Sequence, residues 1–182
     1  MIRAHVVAIA LLSTLLVSDG LDLGARARES VLTQATRSEI LGVAQVSAYL
    51  RRLNPDLGAP ERERVAAAVV KYSAKYRLEP ALVLAIISAE SSARPWVRSS
   101  KGAVGLMQVM PHVVGGLRVA GNLTSIETNI EAGCLILADN IRRLGEDRGI
   151  LAYFWGNDIR GDAYLEHVRA AHAEVLRHVS AS

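Results

Sequence analysis

The sequence is poor in cysteine, aromatic residues and lysine. These shortages exclude internal disulfides and argue against nucleic-acid binding. Cys134 is the only cysteine in 182 residues, so no internal disulfide can form. It lies on an apolar helical stripe, which indicates a buried, inert thiol. The chain has two tryptophans, five tyrosines and one phenylalanine, and its net charge of +3 comes almost entirely from dispersed arginines. No basic run is interleaved with aromatics, so nucleic acid is not an expected partner.

Signatures of metal and nucleophilic chemistry are also missing from the sequence. No two histidines stand four residues apart, and no cysteine cluster accompanies them, so neither a metal site nor a cofactor is expected. No Gly-x-Ser-x-Gly sequence is present, which argues against a serine nucleophile of the hydrolase type. We interpret His172, on the apolar face of the last predicted helix, as a core histidine.

The first residues have the pattern of an export signal. Arg3 and His5 form a short polar start, and residues 6–17 are apolar over about the length of a signal h-region. That stretch is too short to span a membrane comfortably. We therefore predict a signal peptide over residues 1–20 and an exported, periplasmic protein. An uncleaved anchor, which would leave the protein membrane-associated, and an ordinary apolar helix are the alternatives.

The rest of the chain predicts an all-α fold without strands. More than half of the residues are apolar, and Ala, Leu and Arg favour helix over sheet. A turn at residues 54–58 suggests a boundary between an N-terminal helical segment, 21–58, and a main domain, 59–182. Helices are expected to begin at Pro60 and Pro80. Further expected elements are a short helix at 104–110, a long helix at 126–144 capped by Ser125, a compact segment at 150–155 and a final helix at 162–179.

Glu90 is the strongest candidate for a chemical role. Val83, Ile86 and Ile87 precede it by seven, four and three residues, so on a helix its carboxyl group continues an apolar stripe. Loss of hydration there would raise the pKa of the carboxyl group and let it act as a general acid. The alternative is a surface glutamate at a fraying helix end, paired with Arg94. We also interpret Glu79, at the start of the same helix, as a capping residue.

Four short blocks follow one another in a recognisable order. They are Glu90-Ser91, residues 99–108 with Gly-Leu-Met-Gln at their end, residues 129–133, and Ala152-Tyr153. Together they resemble the catalytic domain of the soluble lytic transglycosylase family, which has a lysozyme-like helical fold. The resemblance extends over residues 61–168.

The resemblance implies a role for five residues. Glu90 matches the catalytic acid, and Gln108 matches a polar contact to substrate. Met107 would form an apolar wall under a sugar ring, and Ser99 would lie on a loop that approaches the sugar. Tyr153 matches a cleft tyrosine whose hydroxyl points toward the acid.

Other positions agree less closely with the family pattern. Asn129 and Gly133 match a family block that helps to hold the long helix against the cleft, although we favour helix capping and close helix packing as their roles. Phe154 stands where the family usually has asparagine. Trp155, which follows, is interpreted as a core aromatic, with stacking on a sugar as the alternative. Tyr164 is a candidate match for the tyrosine that opens the final helix.

The resemblance implies an enzyme that cleaves the β-1,4 bond between N-acetylmuramic acid and N-acetylglucosamine in peptidoglycan, forming a 1,6-anhydro product. A single acid suits this reaction, whereas ordinary glycosidases need two carboxylates. Glu127, Glu131 and Asp139 lie on a distant predicted helix. A hydrolytic muramidase on the same fold is one alternative. A catalytically weak peptidoglycan-binding component of an envelope-spanning machine, such as a secretion or conjugation apparatus, is the other.

Overall fold

The computed structural model describes residues 41–115, 119 and 121–180, and the expected signal at 1–20 lies outside them. This part of the chain is helical, and it forms no strand beyond isolated bridges that join Val104 to Arg98 and Val109. The helices are α1 (Val43–Leu53), α2 (Ala59–Tyr76), α3 (Pro80–Ser91), α4 (Pro111–Val114), α5 (Ile126–Leu144), α6 (Glu146–Trp155) and α7 (Ala163–Ser180).

Helix α3 is the central element of the fold. Pro80 begins it, where the missing N–H costs nothing, and every residue from there to Ile87 is buried. A helix that is apolar on all sides must be surrounded by protein. Helices α2 and α7 accordingly pack against it. The last turn of α3, which carries Glu90, is therefore held by the core of the molecule.

Helix α5 agrees with the sequence prediction in extent, cap and burial. It begins at Ile126 and ends at Leu144, and the Ser125 hydroxyl accepts a hydrogen bond from the Thr128 N–H at 3.3 Å. Cys134 is fully buried within it, and burial raises the pKa of the thiol, which confirms the inert interpretation. The helix packs against α2 and α6.

The prediction of a short helix at 104–110 is wrong. Val104 and Val109 instead exchange two backbone hydrogen bonds of 3.0 Å, which close a tight turn over residues 105–108. Gly105 and Gln108 both have positive φ, at 78° and 47°, and such residues cannot continue a right-handed helix. The compact segment expected at 150–155 is part of helix α6, which already begins at Glu146.

Glu79 is the N-cap residue of helix α3, as expected, but its side chain makes no capping hydrogen bond. Its carboxylate lies 2.9 Å from His172 Nε2, on helix α7. The two side chains are 29% and 28% exposed, so His172 belongs to a half-buried polar contact rather than to the apolar core.

Helix α1 packs into the same core as the helices that follow it. Val46, Tyr49 and Leu50 are buried, and α1 lies against α2. The remainder of the expected N-terminal helical segment, residues 21–40, lies outside the described residues. Of the helices that the structure describes, none combines the length and apolar character needed to cross a bilayer.

Candidate active site

Glu90 lies in the last turn of α3, with its carboxyl group half-buried at the edge of a cleft. Its Oε1 accepts a hydrogen bond of 2.6 Å from the Tyr164 hydroxyl. Burial raises the pKa of Glu90, and the Tyr164 hydrogen bond partly opposes that increase. Arg94 binds the Ser91 carbonyl at 2.9 Å instead of pairing with Glu90. The structure thus places the carboxyl group in a surrounding that favours its protonated form.

Two tyrosines approach the acid, and they do so in different ways. The Tyr153 hydroxyl donates to the Met107 carbonyl at 2.7 Å. The Tyr164 hydroxyl, at the start of α7, donates to Glu90. Burial, followed by the charge of Glu90, raises the pKa of both phenols. Both hydroxyls therefore stay protonated and act as donors.

A small aromatic cluster covers Tyr164. The Phe154 ring stacks on the Tyr164 ring at a centroid distance of 4.5 Å and an angle of 17°. Trp155 meets Phe154 edge-on at 5.0 Å. Phe154 is 52% exposed and Trp155 37% exposed, so the interpretation of Trp155 as a core aromatic is wrong.

The cleft beside Glu90 has a volume of about 450 Å³. It brings Glu90 together with Ser99, Gln108 and Tyr153, three of the four residues expected to bind substrate. The other residues that line it are Lys101, Ala103, Met110, Phe154, Trp155, Asp158 and Arg160. Most of these lie on loops or helix ends, where hydrophobic periodicity gives no signal.

Met107, the fourth expected residue, has its side chain elsewhere. It is fully buried and packs against Gly133 on α5, where an added Cβ would lie 2.5 Å from the Met107 sulfur. The Met107 side chain therefore packs between the turn and helix α5. Met110 supplies an apolar surface in the cleft.

Asn129 holds the turn over residues 105–108 in place. Its side chain is buried, and Oδ1 accepts from the Met107 N–H at 2.9 Å. Its Nδ2 donates to the carbonyls of Val104 and Leu123, at 2.8 and 3.1 Å. At Gly105 an added Cβ would lie 2.5 Å from this amide, so the glycine is required for the close approach. Asn129 therefore acts as a loop clamp rather than as the helix cap that we expected.

The turn is also bonded to helix α3 and to the preceding loop. The Ser91 hydroxyl, next to Glu90, lies 2.7 Å from the Leu106 carbonyl. The Gly105 N–H and Gln108 Nε2 donate to the Val97 carbonyl at 2.9 and 3.3 Å. Within the turn, Gln108 Nε2 also donates to the Gly105 carbonyl at 2.9 Å, and within the loop Ser99 Oγ accepts from the Ala103 N–H at 3.0 Å.

Asp158 is the second carboxylate in the cleft, and the sequence interpretation missed it. Its side chain is 73% exposed, and Oδ2 accepts from Arg160 Nε and Nη2 at 2.9 and 2.6 Å. The acids considered on α5 are engaged elsewhere: Glu127 pairs with Arg64, and Glu131 with Lys75. Within the described ranges, no three His, Cys, Asp or Glu side chains are grouped as a metal ion would require.

The helical fold and the cleft beside the half-buried Glu90 agree with the lytic transglycosylase class that the sequence resembles. The family model described as Transglycosylase SLT domain matches residues 67–168, which is more than half of the chain. The protein belongs to this family. Its membership confirms the resemblance seen in the sequence and the all-α, lysozyme-like fold class.

Two relatives and one solved structure illustrate the similarity. The chain is 39% identical over 87 residues to a transglycosylase of Enterobacteria phage PRD1, covering 47% of this chain and 32% of that protein. It is 39% identical over 80 residues to membrane-bound lytic murein transglycosylase C of Serratia proteamaculans, covering 38% and 22%. An inactive mutant of lytic transglycosylase Slt from Pseudomonas aeruginosa matches with a TM-score of 0.45 and 24% identity, over 62% of this chain and 22% of that one. The match thus spans about a third of the phage protein and about a fifth of the Serratia protein.

Proposed function

We propose that this protein is a peptidoglycan lytic transglycosylase that cleaves the bond between N-acetylmuramic acid and N-acetylglucosamine, with Glu90 as the single acid and base. The supporting observation is the position of Glu90, which is half-buried in a cleft and bonded to a neutral phenol. Burial favours the acid form before the reaction, and the Tyr164 hydrogen bond stabilises the carboxylate once the proton has left.

The proposed reaction needs neither water nor a metal ion. Glu90 gives its proton to the glycosidic oxygen, and the bond from that oxygen to C1 of N-acetylmuramic acid breaks. The acetamido group of the substrate stabilises the positive charge on C1. The Glu90 carboxylate then takes the proton of the C6 hydroxyl, whose oxygen bonds to C1 and closes the 1,6-anhydro ring. Glu90 ends the cycle protonated, as it began.

The residues around Glu90 supply contacts for a sugar chain. Ser99, Gln108 and Tyr153 line the cleft and carry the polar atoms for substrate binding in this proposal. Phe154 and Trp155 form an exposed aromatic edge of the same cleft. Aromatic surface next to a few polar groups is the usual composition of a binding cleft.

Analysis of reaction products tests the proposed function directly. Purified sacculi are incubated with the protein, and the released muropeptides are identified by mass spectrometry. We expect 1,6-anhydro ends, which are one water lighter than reducing ends. Binding to sacculi without any soluble product would contradict the proposal and favour a non-catalytic component.

A hydrolytic muramidase is the second candidate, and Asp158 is the observation that favours it. An inverting glycosidase needs a second carboxylate to activate water on the other side of the sugar. Asp158 lines the same cleft as Glu90. However, it is mostly exposed and held by Arg160, which does not suit a base that must face the reacting carbon.

We expect Asp158→Asn to retain lysis within about tenfold of the wild type, because general-base catalysis contributes about a hundred- to ten-thousandfold and Asp158 supplies none of it. Initial rates on sacculi and the anhydro content of the products measure this. A loss of more than about a hundredfold, accompanied by reducing ends in the wild-type products, would instead establish hydrolysis with Asp158 as base.

The pH dependence should follow the raised pKa of Glu90. The first step needs the protonated form, so lysis should persist above the ordinary glutamate pKa of about 4.3 and decline as the pH rises through the raised value. In Tyr164→Phe the lost donor no longer stabilises the carboxylate, so the pKa of Glu90 should increase further. The declining limb of kcat against pH should then move to higher pH, with a maximal rate lower by roughly ten- to hundredfold. A declining limb that moves to lower pH in Tyr164→Phe would contradict the role of Tyr164 as a hydrogen-bond donor to the Glu90 carboxylate.

We also propose that the protein is exported and acts on the cell wall, with a secretion or conjugation apparatus as a candidate partner. The relatives named above include a membrane-bound murein transglycosylase and a phage transglycosylase, which is compatible with such a role. Fractionation of cells that express the full chain would test export. Recovery in the cytoplasm alone would contradict it.

A further inference from the structure

Phe154 stands where the resemblance leads us to expect asparagine, and its ring contacts Tyr164, the hydrogen-bond partner of Glu90. It lies in the last turn of α6, directly after Tyr153. Its ring is nearly parallel to that of Tyr164, at 4.5 Å, and about half of the side chain is exposed to the cleft. An asparagine at this position has no ring with which to make the stack.

The contacts form a short chain from Phe154 through Tyr164 to Glu90. Each of the three residues comes from a different helix, α6, α7 and α3. A tyrosine hydroxyl stands at the end of a long side chain, so small rotations of the ring move it out of hydrogen-bonding distance. Stacked aromatic pairs restrict such rotation and add stability beyond the area that they bury. The Phe154 ring thus supports the side chain whose hydroxyl lies 2.6 Å from the Glu90 oxygen.

We propose that Phe154 is a positioning residue, which holds the Tyr164 hydroxyl on Glu90 by ring stacking. This inference rests on the proposed function of Glu90 as the acid. It assigns to the Phe154 ring the support of Tyr164, whose hydroxyl binds Glu90. A role of Phe154 as a platform for a sugar ring is the competing explanation.

Kinetics on soluble peptidoglycan strands distinguish the two roles. Phe154→Leu keeps an apolar side chain but removes the ring, and it should lower kcat roughly two- to tenfold with little change in KM. Phe154→Tyr and Phe154→Trp keep a stacking ring and should restore most of kcat. An increase in KM at unchanged kcat would overturn the proposal in favour of a sugar platform.

A double-mutant cycle tests whether Phe154 acts through Tyr164. In the Tyr164→Phe background the hydroxyl is absent, so Phe154→Leu should have no further effect on kcat. Equal losses in both backgrounds would overturn the proposal. Trp96→Leu serves as the control, because Trp96 is a 65% exposed aromatic that is not among the residues lining the cleft. It should leave kcat unchanged.

A measurement that needs no turnover separates this inference from the proposed function. NMR titration of the ¹³C-labelled Glu90 carboxyl group should show its pKa increasing in Phe154→Leu, in the same direction as in Tyr164→Phe. The neutral Tyr153 and the charged groups of the cleft, Lys101, Asp158 and Arg160, are the same in all of these variants. An unchanged or lowered pKa in Phe154→Leu would overturn the positioning role. A wild-type protein that releases no anhydro product would overturn the proposed function instead.

Discussion

Glu90→Gln should lyse purified sacculi about a hundred to ten thousand times more slowly than the wild type. Glutamine has nearly the same shape and can still accept the Tyr164 hydrogen bond, but it has no proton to give to the glycosidic oxygen. The measurement is the initial rate of turbidity loss of sacculi at several pH values. Because the acid is absent, no pH should restore the rate.

Glu90→Gln should not lower the free energy of unfolding, because the pKa of Glu90 is higher in the folded than in the unfolded protein. Burial raises the pKa of Glu90 in the folded state above its value of about 4.3 in the unfolded chain. Between those two pKa values the unfolded state loses the proton first, so the wild type becomes less stable as the pH rises through this range. Glutamine does not titrate. The Tm of Glu90→Gln at neutral pH should therefore equal or exceed that of the wild type.

Glu127→Gln provides a matched control for the charge change. Glu127 is a surface residue on α5 whose carboxylate pairs with Arg64, and its pKa is lowered by that pairing. The variant should lyse sacculi at close to the wild-type rate, because an exposed ion pair contributes little. Normal lysis by a folded Glu90→Gln protein would remove Glu90 from the acid role.

Asn129→Ala should have the largest effect on stability of any polar substitution near the site. The change leaves the Met107 N–H without a partner in a buried position and removes two further hydrogen bonds, to the Val104 and Leu123 carbonyls. A buried unsatisfied group costs about 1–3 kcal/mol, so we expect the free energy of unfolding to fall by about 2–4 kcal/mol. Urea denaturation, followed by circular dichroism, measures this change.

The turn at residues 105–108 should also lose its position in Asn129→Ala, so lysis should decrease more than the folded fraction does. Asn140→Ala is the matched control, because Asn140 is buried on the same helix and its side chain binds only the half-exposed Arg143 in α5 itself. That variant should unfold at a urea concentration much closer to the wild-type value. Equal destabilisation by the two substitutions would show that Asn129 contributes as a packed helix residue and not as a loop clamp.

The two tyrosines near Glu90 have separate contacts. Tyr164 binds the Glu90 carboxyl group, whereas Tyr153 supports the turn through the Met107 carbonyl. Because Glu90, Tyr164 and the turn lie on separate elements, the geometry of the site depends on how α3, α5, α6 and α7 pack. We therefore expect buried residues such as Asn129 to affect the proposed reaction without touching the substrate.

Local sequence was sufficient to predict most of the helices and the partial burial of Glu90. The apolar run before Glu90 predicts a buried helix and a desolvated carboxyl group, because burial of neighbours three, four and seven residues away follows directly from helical geometry. The cap at Ser125 and the full extent of helix α5 follow in the same way from short-range signals. The prediction of a helix at 104–110 failed because Gly105 and Gln108 have positive φ, and because Asn129 on α5 binds the Met107 N–H and the Val104 carbonyl of that turn.

The amino-acid sequence by itself determined the helical fold class and the partial burial of Glu90, since both depend on spacing within a short window, and the order of four blocks determined the family resemblance. The partner of that acid was decided by tertiary packing, which brings Tyr164 to Glu90 across 74 residues of chain. Packing also decided that Met107 faces Gly133 and that Asp158, Arg160 and Lys101 reach the cleft. Such contacts join elements that are far apart in sequence, so hydrophobic periodicity within one element does not predict them.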